Sequence, residues 1–515
     1  MKSTTKQAKH FQSVQCQLRK IIASVLALIV IASVFSGCDN TSVSTDSGTM
    51  PEVNNHSYSK GSVINVGYSQ DDSLNPFFLQ TDINSDIPSL VYEPLFYVDD
   101  TFCARNGLAQ SYTIAERTLT VKLDKSVAFS DGVQFSSADV IYSFTLAKQS
   151  HIYKDELSII SSATATSADT VVFSLNADYS NAVDSLSFPI VKTGTADDKD
   201  SFPIGTGLYK WVRAGEEIKL EYNPYCKKPQ PKITSVNLVK LTSASTLIHT
   251  LELGTIDVYF DDLSTGSYSQ ANARTSRTNL TNLVFLGMNS NSYGLSSAAM
   301  RQAVYYSINR QSIVKNAFKN YATESAVPYH PEWHVVAEAG LDLSDLSLNY
   351  SKAQTLMKNA GFNDTMNYKL IVYSGNHFKV AAAKLLQENF MNIGINLTIQ
   401  ELTWDGYKAA LAAGDYDFYI GEIKLPRNMD MSVLFGNGSA VYGKPATDTT
   451  STAYGEYING KISLETFTLS FLQNMPFAPI CFRNGALVYS NKITTSADCD
   501  AGNAYKNIYE WEKIN

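Results

Sequence analysis

An uncharged apolar run from Ile21 to Phe35 stands apart from the rest of the chain, with Lys2, Lys6, Lys9, Arg19 and Lys20 ahead of it. A membrane-spanning helix needs roughly 20 such residues, so this shorter run predicts a signal segment over residues 1–37. Residues 38–59 are crowded with Ser, Thr, Asn and Asp and predict a flexible tether. Beyond them the pattern becomes that of folded elements. Val63 to Tyr68 predicts a strand, and Asn75-Pro76 breaks the chain, because the residue before proline is pushed out of helical geometry. Leu119, Val121 and Leu123 alternate as in a half-buried strand. Asp131-Gly132 then signals a turn, and Ser136 with Asp139 forms a capping-box pattern that opens a helix through Ala147.

The second half alternates more regularly. Met300, Ala303, Val304, Ser307 and Ile308 lie at helical spacing, predicting a helix that starts near Ser296 or Ser297. Ser351 with Gln354 repeats the capping-box pattern, and Gly361 is placed to end that helix in left-handed geometry. Tyr368 to Tyr373 predicts a strand, Ala381, Leu385 and Leu386 a helix ending near Gly394, and Ile395, Leu397 and Ile399 another strand. A helix from Trp404 to Ala413 and a strand from Asp417 to Ile423 follow. Helix and strand in turn imply a mostly parallel α/β sheet. No repeat of solenoid period is evident, and the length favours two or three domains.

Composition narrows the function classes. The 515 residues are 44% hydrophobic and 17% charged, a globular balance. Setting aside the five cations ahead of Cys38 leaves 36 Lys and Arg against 49 Asp and Glu, a net charge of −13, which disfavours nucleic acid as a partner. Cys103, Cys226, Cys481 and Cys499 show no C-x-x-C spacing, and Pro331 disfavours a helix carrying both His330 and His334; no metal site and no cofactor are expected. There is no G-x-S-x-G elbow, no H-E-x-x-H and no phosphate-binding G-x-x-x-x-G-K-[ST] loop, so no enzyme is expected. Asp71-Asp72 and Asp261-Asp262 could in principle serve acid/base chemistry, but adjacent acids ordinarily mark a loop.

Short motifs then recur along the chain: Ser73-Leu74-Asn75-Pro76-Phe77, Tyr92-Glu93-Pro94-Leu95, Phe129-Ser130-Asp131-Gly132 with Ser137-Ala138-Asp139-Val140, Pro203-Ile204-Gly205-Thr206-Gly207-Leu208-Tyr209, Gly254-Thr255-Ile256-Asp257, Arg301-Gln302-Ala303 with Ile308-Asn309-Arg310, and Ala360-Gly361-Phe362 with Gly394-Ile395. In this order they resemble the bacterial extracellular solute-binding proteins that serve peptide, nickel and related ABC importers. Phe35-Ser36-Gly37-Cys38 likewise resembles a lipobox, in which Cys38 would be lipidated and anchor the chain to the cell membrane.

The resemblance implies an α/β fold: a two-lobed, periplasmic-binding-protein-like clamp of type II with an additional inserted small α/β domain. Lobe I would comprise residues 60–98, 190–285 and 474–515, the inserted domain 99–189, and lobe II 286–473. The implied partners are a peptide or other small polar solute and an ABC permease and ATPase complex, with the protein a monomer; a nickel chelate or an oligosaccharide is the alternative ligand, and a sensor uncoupled from transport the alternative role. Many peptide-binding members follow the strand equivalent to Asp417–Ile423 with G-W and an Asp that meets the peptide amine. Here that Trp is missing and the Asp position falls on Leu425 or Pro426. Glu422 and Asp430 are the nearby substitutes, and the resemblance therefore points to Glu422 as the amine partner and to Lys424 or Arg427 for an anionic group. Trp404 and Tyr407 follow a W-x-x-Y pattern that opens a helix at the cleft. Tyr68, Gln70 and Asp72, at the end of the first strand, and Tyr209 and Trp211, after the Gly-rich turn, complete the expected ligand-binding set.

Overall fold

The computed structural model describes residues 60–515 except 216, 242, 244–245, 268–271, 446–448 and 501. The signal segment, Cys38 and the tether lie outside the described residues. Among the described residues no helix is long and apolar enough to cross a membrane.

Two long strands, Arg274–Met288 and Phe477–Tyr489, run antiparallel through the middle of an eleven-stranded sheet. Phe477–Tyr489 is buried at every position, as expected for a strand covered on both faces, and its sequence is correspondingly apolar. On one side the sheet continues through Phe418–Lys424, Met366–Tyr373 and Ile395–Leu402. On the other it continues through Val258–Asp261, Val63–Ser69, Ser235–Leu241, Glu217–Tyr222 and Tyr209–Ala214. The two flanks hold the strands expected of lobe II and of lobe I, respectively.

The expected parallel arrangement holds within each flank. Met366–Tyr373 pairs in parallel with Ile395–Leu402 and Phe418–Lys424, connected by the helices His377–Met391 and Trp404–Ala413. Val63–Ser69 pairs in parallel with Ser235–Leu241 and Val258–Asp261. The middle of the sheet departs from it: the two long strands pair antiparallel with each other and with their flanking neighbours. The sheet is mixed because these strands join the lobes and return without a crossover helix.

Helix boundaries follow local chemistry. Ser136 donates from both its N–H and its hydroxyl to Asp139 at 3.0 and 2.9 Å, opening helix Ser137–Ala147 as predicted. The cap near Ser351 is different: Asn349 accepts from the Lys352 N–H at 2.8 Å, so that helix begins at Tyr350. Asparagine caps as well as serine does, and Asn349 opens the helix two residues ahead of the expected Ser351. Gly361 has φ +84°, the left-handed geometry its position required.

Within residues 99–189, four antiparallel strands form a separate sheet in the order Ala109–Ala115, Thr118–Leu123, Thr170–Leu175, Ile160–Ser167. Helix Ser137–Ala147 packs on it, with the Phe144 and Phe173 rings edge to face at 5.7 Å. This small unit touches the second lobe directly. The Tyr179 hydroxyl donates to the Asn428 carbonyl at 2.5 Å, and the Asn428 side chain donates to Ser185 Oγ at 2.8 Å.

Candidate functional site

Three parallel strands end at one place. The carboxyl ends of Val63–Ser69, Ser235–Leu241 and Val258–Asp261 bring Ser69, Ser243, Asp261 and Asp262 to the wall of a cavity of about 740 Å3. Val63–Ser69 lies between the other two strands and shares a single register pair, Val66 with Val258, with the shorter one, so the two diverge toward their ends. A gap between diverging strand ends is where α/β sheets take ligands. The facing wall comes from the second lobe through Lys424, Leu425 and Arg427, and the small unit closes one end with Tyr153, Glu156 and Ser187. A volume of this size suits a drug-sized molecule or a short peptide.

A bulge shapes the floor. Along the paired long strands the register runs Asn279 with Asn484 and then Leu283 with Phe482, so Leu280, Thr281 and Asn282 stand opposite Arg483 alone. Bulged residues lose part of their ladder and re-aim their side chains, and all three line the cavity.

Of the sequence-predicted residues, Lys424 and Arg427 are in the cavity wall. Lys424 is exposed there, and Arg427 donates through Nη1 to Ser187 Oγ at 3.2 Å. Glu422 sits behind the wall with both oxygens engaged. It accepts from Arg483 Nε at 2.6 Å and Asn282 Nδ2 at 3.0 Å, and meets Lys379 Nζ at 2.7 Å. Burial alone would raise its pKa; Lys379 and Arg483 outweigh that and hold it at about 2. Asp430 is buried and accepts from Tyr454 Oη at 2.6 Å and from Ser432.

The remaining expected residues stand outside the cavity wall. Tyr68 is buried beside the strand end, and Gln70 is exposed. Asp72 accepts from the N–H groups of Ser73, Gln80 and Thr81 and so folds its own loop. Tyr209 is fully buried with its hydroxyl on the Ile233 carbonyl at 2.7 Å. Trp211 stands one shell back, donating to the Tyr92 hydroxyl at 2.9 Å, and it is Tyr92 that lines the cavity. Tyr407 is buried with its hydroxyl on the Ile420 carbonyl, and Trp404 stacks on its ring at 5.9 Å, half exposed and outside the cavity wall.

The cavity also has acids outside the expected ligand-binding set. Burial pushes Glu156 up to about 7 against the opposing pull of Arg427, whose backbone N–H donates to it at 2.8 Å. Asp500 is likewise raised by burial to about 7 and pairs with Lys506 at 2.8 Å. Asp261 is raised by burial, with Asp262 adding to the effect. Asp261-Asp262 was visible as an acidic pair, and strand-end placement is the signal that lifts it above a loop. Glu156 carried no such signal, because its partner lies 271 residues away.

Comparison with known proteins fits this architecture. Residues 104–438 match the family model of bacterial extracellular solute-binding proteins, family 5 middle region. The chain belongs to this family. It is 23% identical to the oligopeptide-binding protein AppA of Bacillus subtilis over 439 residues, covering 78% of this chain and 80% of AppA. It is 26% identical to the glutathione-binding protein GsiB of Escherichia coli K12 over 382 residues, 69% of this chain and 70% of GsiB. The crystal structure of the ABC transporter substrate-binding protein CtaP from Listeria monocytogenes superposes with a TM-score of 0.68 at 19% identity, covering 88% of this chain and all of CtaP. This family 5 chain is thus a two-lobed extracellular solute-binding protein, and the family is one of receptors.

Proposed function

We propose that this family 5 protein captures short peptides in the cavity between its lobes and delivers them to an ABC permease and ATPase complex, held at the membrane by lipid on Cys38. In this reading it acts as a monomeric receptor without turnover. Lobe I corresponds to residues 60–98, 190–285 and 474–515, the inserted domain to 99–189 and lobe II to 286–473. The observation that carries the reading is the mixed charge of a cavity walled from both lobes, with Asp261 and Asp262 on one side and Lys424 and Arg427 on the other. A zwitterionic ligand bridging these walls stabilises the closed form, because only contacts made in closure and lost on opening shift that equilibrium. Lys424 and Arg427 are the partners for its carboxylate.

A thermal-shift screen tests this. A ligand at one hundred times its dissociation constant adds about 2.7 kcal/mol of stability. Di- to pentapeptides are expected to raise the melting temperature. If they leave it unchanged while an oligosaccharide or a metal chelate raises it, the peptide assignment is wrong.

A further inference from the structure

We infer that Asp261 receives a cationic nitrogen of the ligand, an α-amine or a basic side chain, and so makes the solute a zwitterion or a cation; the inference rests on the reading of the cavity as the ligand site. Neighbouring carboxylates at this part of the sheet already have partners. Glu422 is engaged by Arg483, Lys379 and Asn282. Asp262 has Arg483 Nη2 at 3.6 Å, and Asp500 has Lys506. Glu156 accepts from the Arg427 N–H. Asp261 differs from Glu422, Asp262 and Asp500 in having no ion pair, and from Glu156 in standing at the end of a sheet strand. Its Oδ1 accepts from the Leu263 N–H at 2.7 Å, whereas Oδ2 has no hydrogen bond and no cation within 4 Å among the described residues.

Position strengthens the inference. Asp261 is the last residue of its strand and lines the cavity together with Tyr259, Phe260 and Asp262, where the strand has diverged from Val63–Ser69. Asp261 is half-buried beside a second acid, and Arg483 and the Leu263 N–H offset the resulting cost of ionising it only in part. Arg483 cannot offset the remainder, since Glu422 and Asp262 hold its Nε and Nη2. An incoming ammonium or guanidinium can, and a neutral saccharide or an anionic chelate cannot. The charge pattern also orients the solute: the cation at the strand end of lobe I, the anion toward Lys424 and Arg427.

Calorimetric titration tests this with a tripeptide, its N-acetylated form, spermidine, a neutral trisaccharide and an anionic metal chelate. Truncating one partner of a hydrogen-bonded charge pair costs 2–5 kcal/mol, so N-acetylation and Asp261→Asn should each weaken tripeptide binding about thirtyfold or more. The variant should lose no further affinity for the acetylated peptide. Asp261→Asn removes no packing, and an unchanged melting temperature without ligand checks its fold. Equal tripeptide affinity in wild type and variant overturns the role of Asp261 while leaving peptide capture standing. Spermidine binding that the substitution weakens, without peptide binding, supports Asp261 and overturns the peptide reading. Binding of only the saccharide or the chelate, or of none of the five, overturns both.

Discussion

Glu422 is ionised because two cations of its own chain surround it, and this sets both its stability effect and its pH dependence. Its folded pKa of about 2 lies below the ordinary carboxylate value. The stabilisation is therefore fully present above the ordinary value and is lost as pH falls through 2. Glu422→Gln should destabilise the protein by about 3–5 kcal/mol at pH 7, since it leaves Lys379 without its ion pair and removes one of the two carboxylates that neutralise the buried Arg483. Urea unfolding at pH 7 and pH 3 reads this out, with a smaller difference at the acid end. Glu156 has the opposite sign: its pKa of about 7 means that burial costs stability as pH rises from the ordinary carboxylate value through 7. Glu156→Gln should therefore flatten the loss of stability between pH 5 and 8 that the wild type shows. The charges of residues 422–430 were legible in the sequence. What each was doing there was not, because Arg483 lies 61 residues beyond Glu422 and only the fold brings them together.

Elements were more legible than side-chain roles, since strand and helix patterns are local while pairing is not. The helix beginning at Trp404, the left-handed turn at Gly361 and the cap at Ser136 all follow from residues within one or two turns. The antiparallel middle of the sheet does not. Its two long strands are separated by nearly 200 residues, and their bulge at Leu280–Asn282 has no signature beyond an Asn and a Thr in an apolar run. Close approach, too, is invisible until the elements meet. Gly207 donates its N–H to the Val91 carbonyl at 2.9 Å, and a Cβ there would fall 2.5 Å from the Val91 carbonyl carbon. Tyr92, the next residue, forms part of the cavity wall. Gly207→Ala should cost about 1–3 kcal/mol from overpacking, measured by thermal denaturation, and should weaken ligand binding by displacing Tyr92. Unaltered stability would show that the Val91 segment yields freely.

At the scale of the molecule, residues 179–188 of the small unit are tied to residues 334 and 428 by polar contacts. Besides Tyr179 and Ser185 on Asn428, Asp184 stands 3.7 Å from His334. Burial would lower the His334 pKa; Asp184 and Glu338 outweigh it and raise it to about 9. This stabilisation is complete below the ordinary histidine value and disappears as pH rises through 9. The protection of residues 179–188 against hydrogen exchange, taken relative to the intrinsic rate at each pH, should fall above pH 9 in the wild type, and His334→Gln should show the lower protection already at pH 7. Closure of two lobes on a peptide would be visible in small-angle scattering during a peptide titration. Saturation at one peptide per chain with a falling radius of gyration is the predicted result, and saturable binding that leaves the radius of gyration unchanged would contradict it.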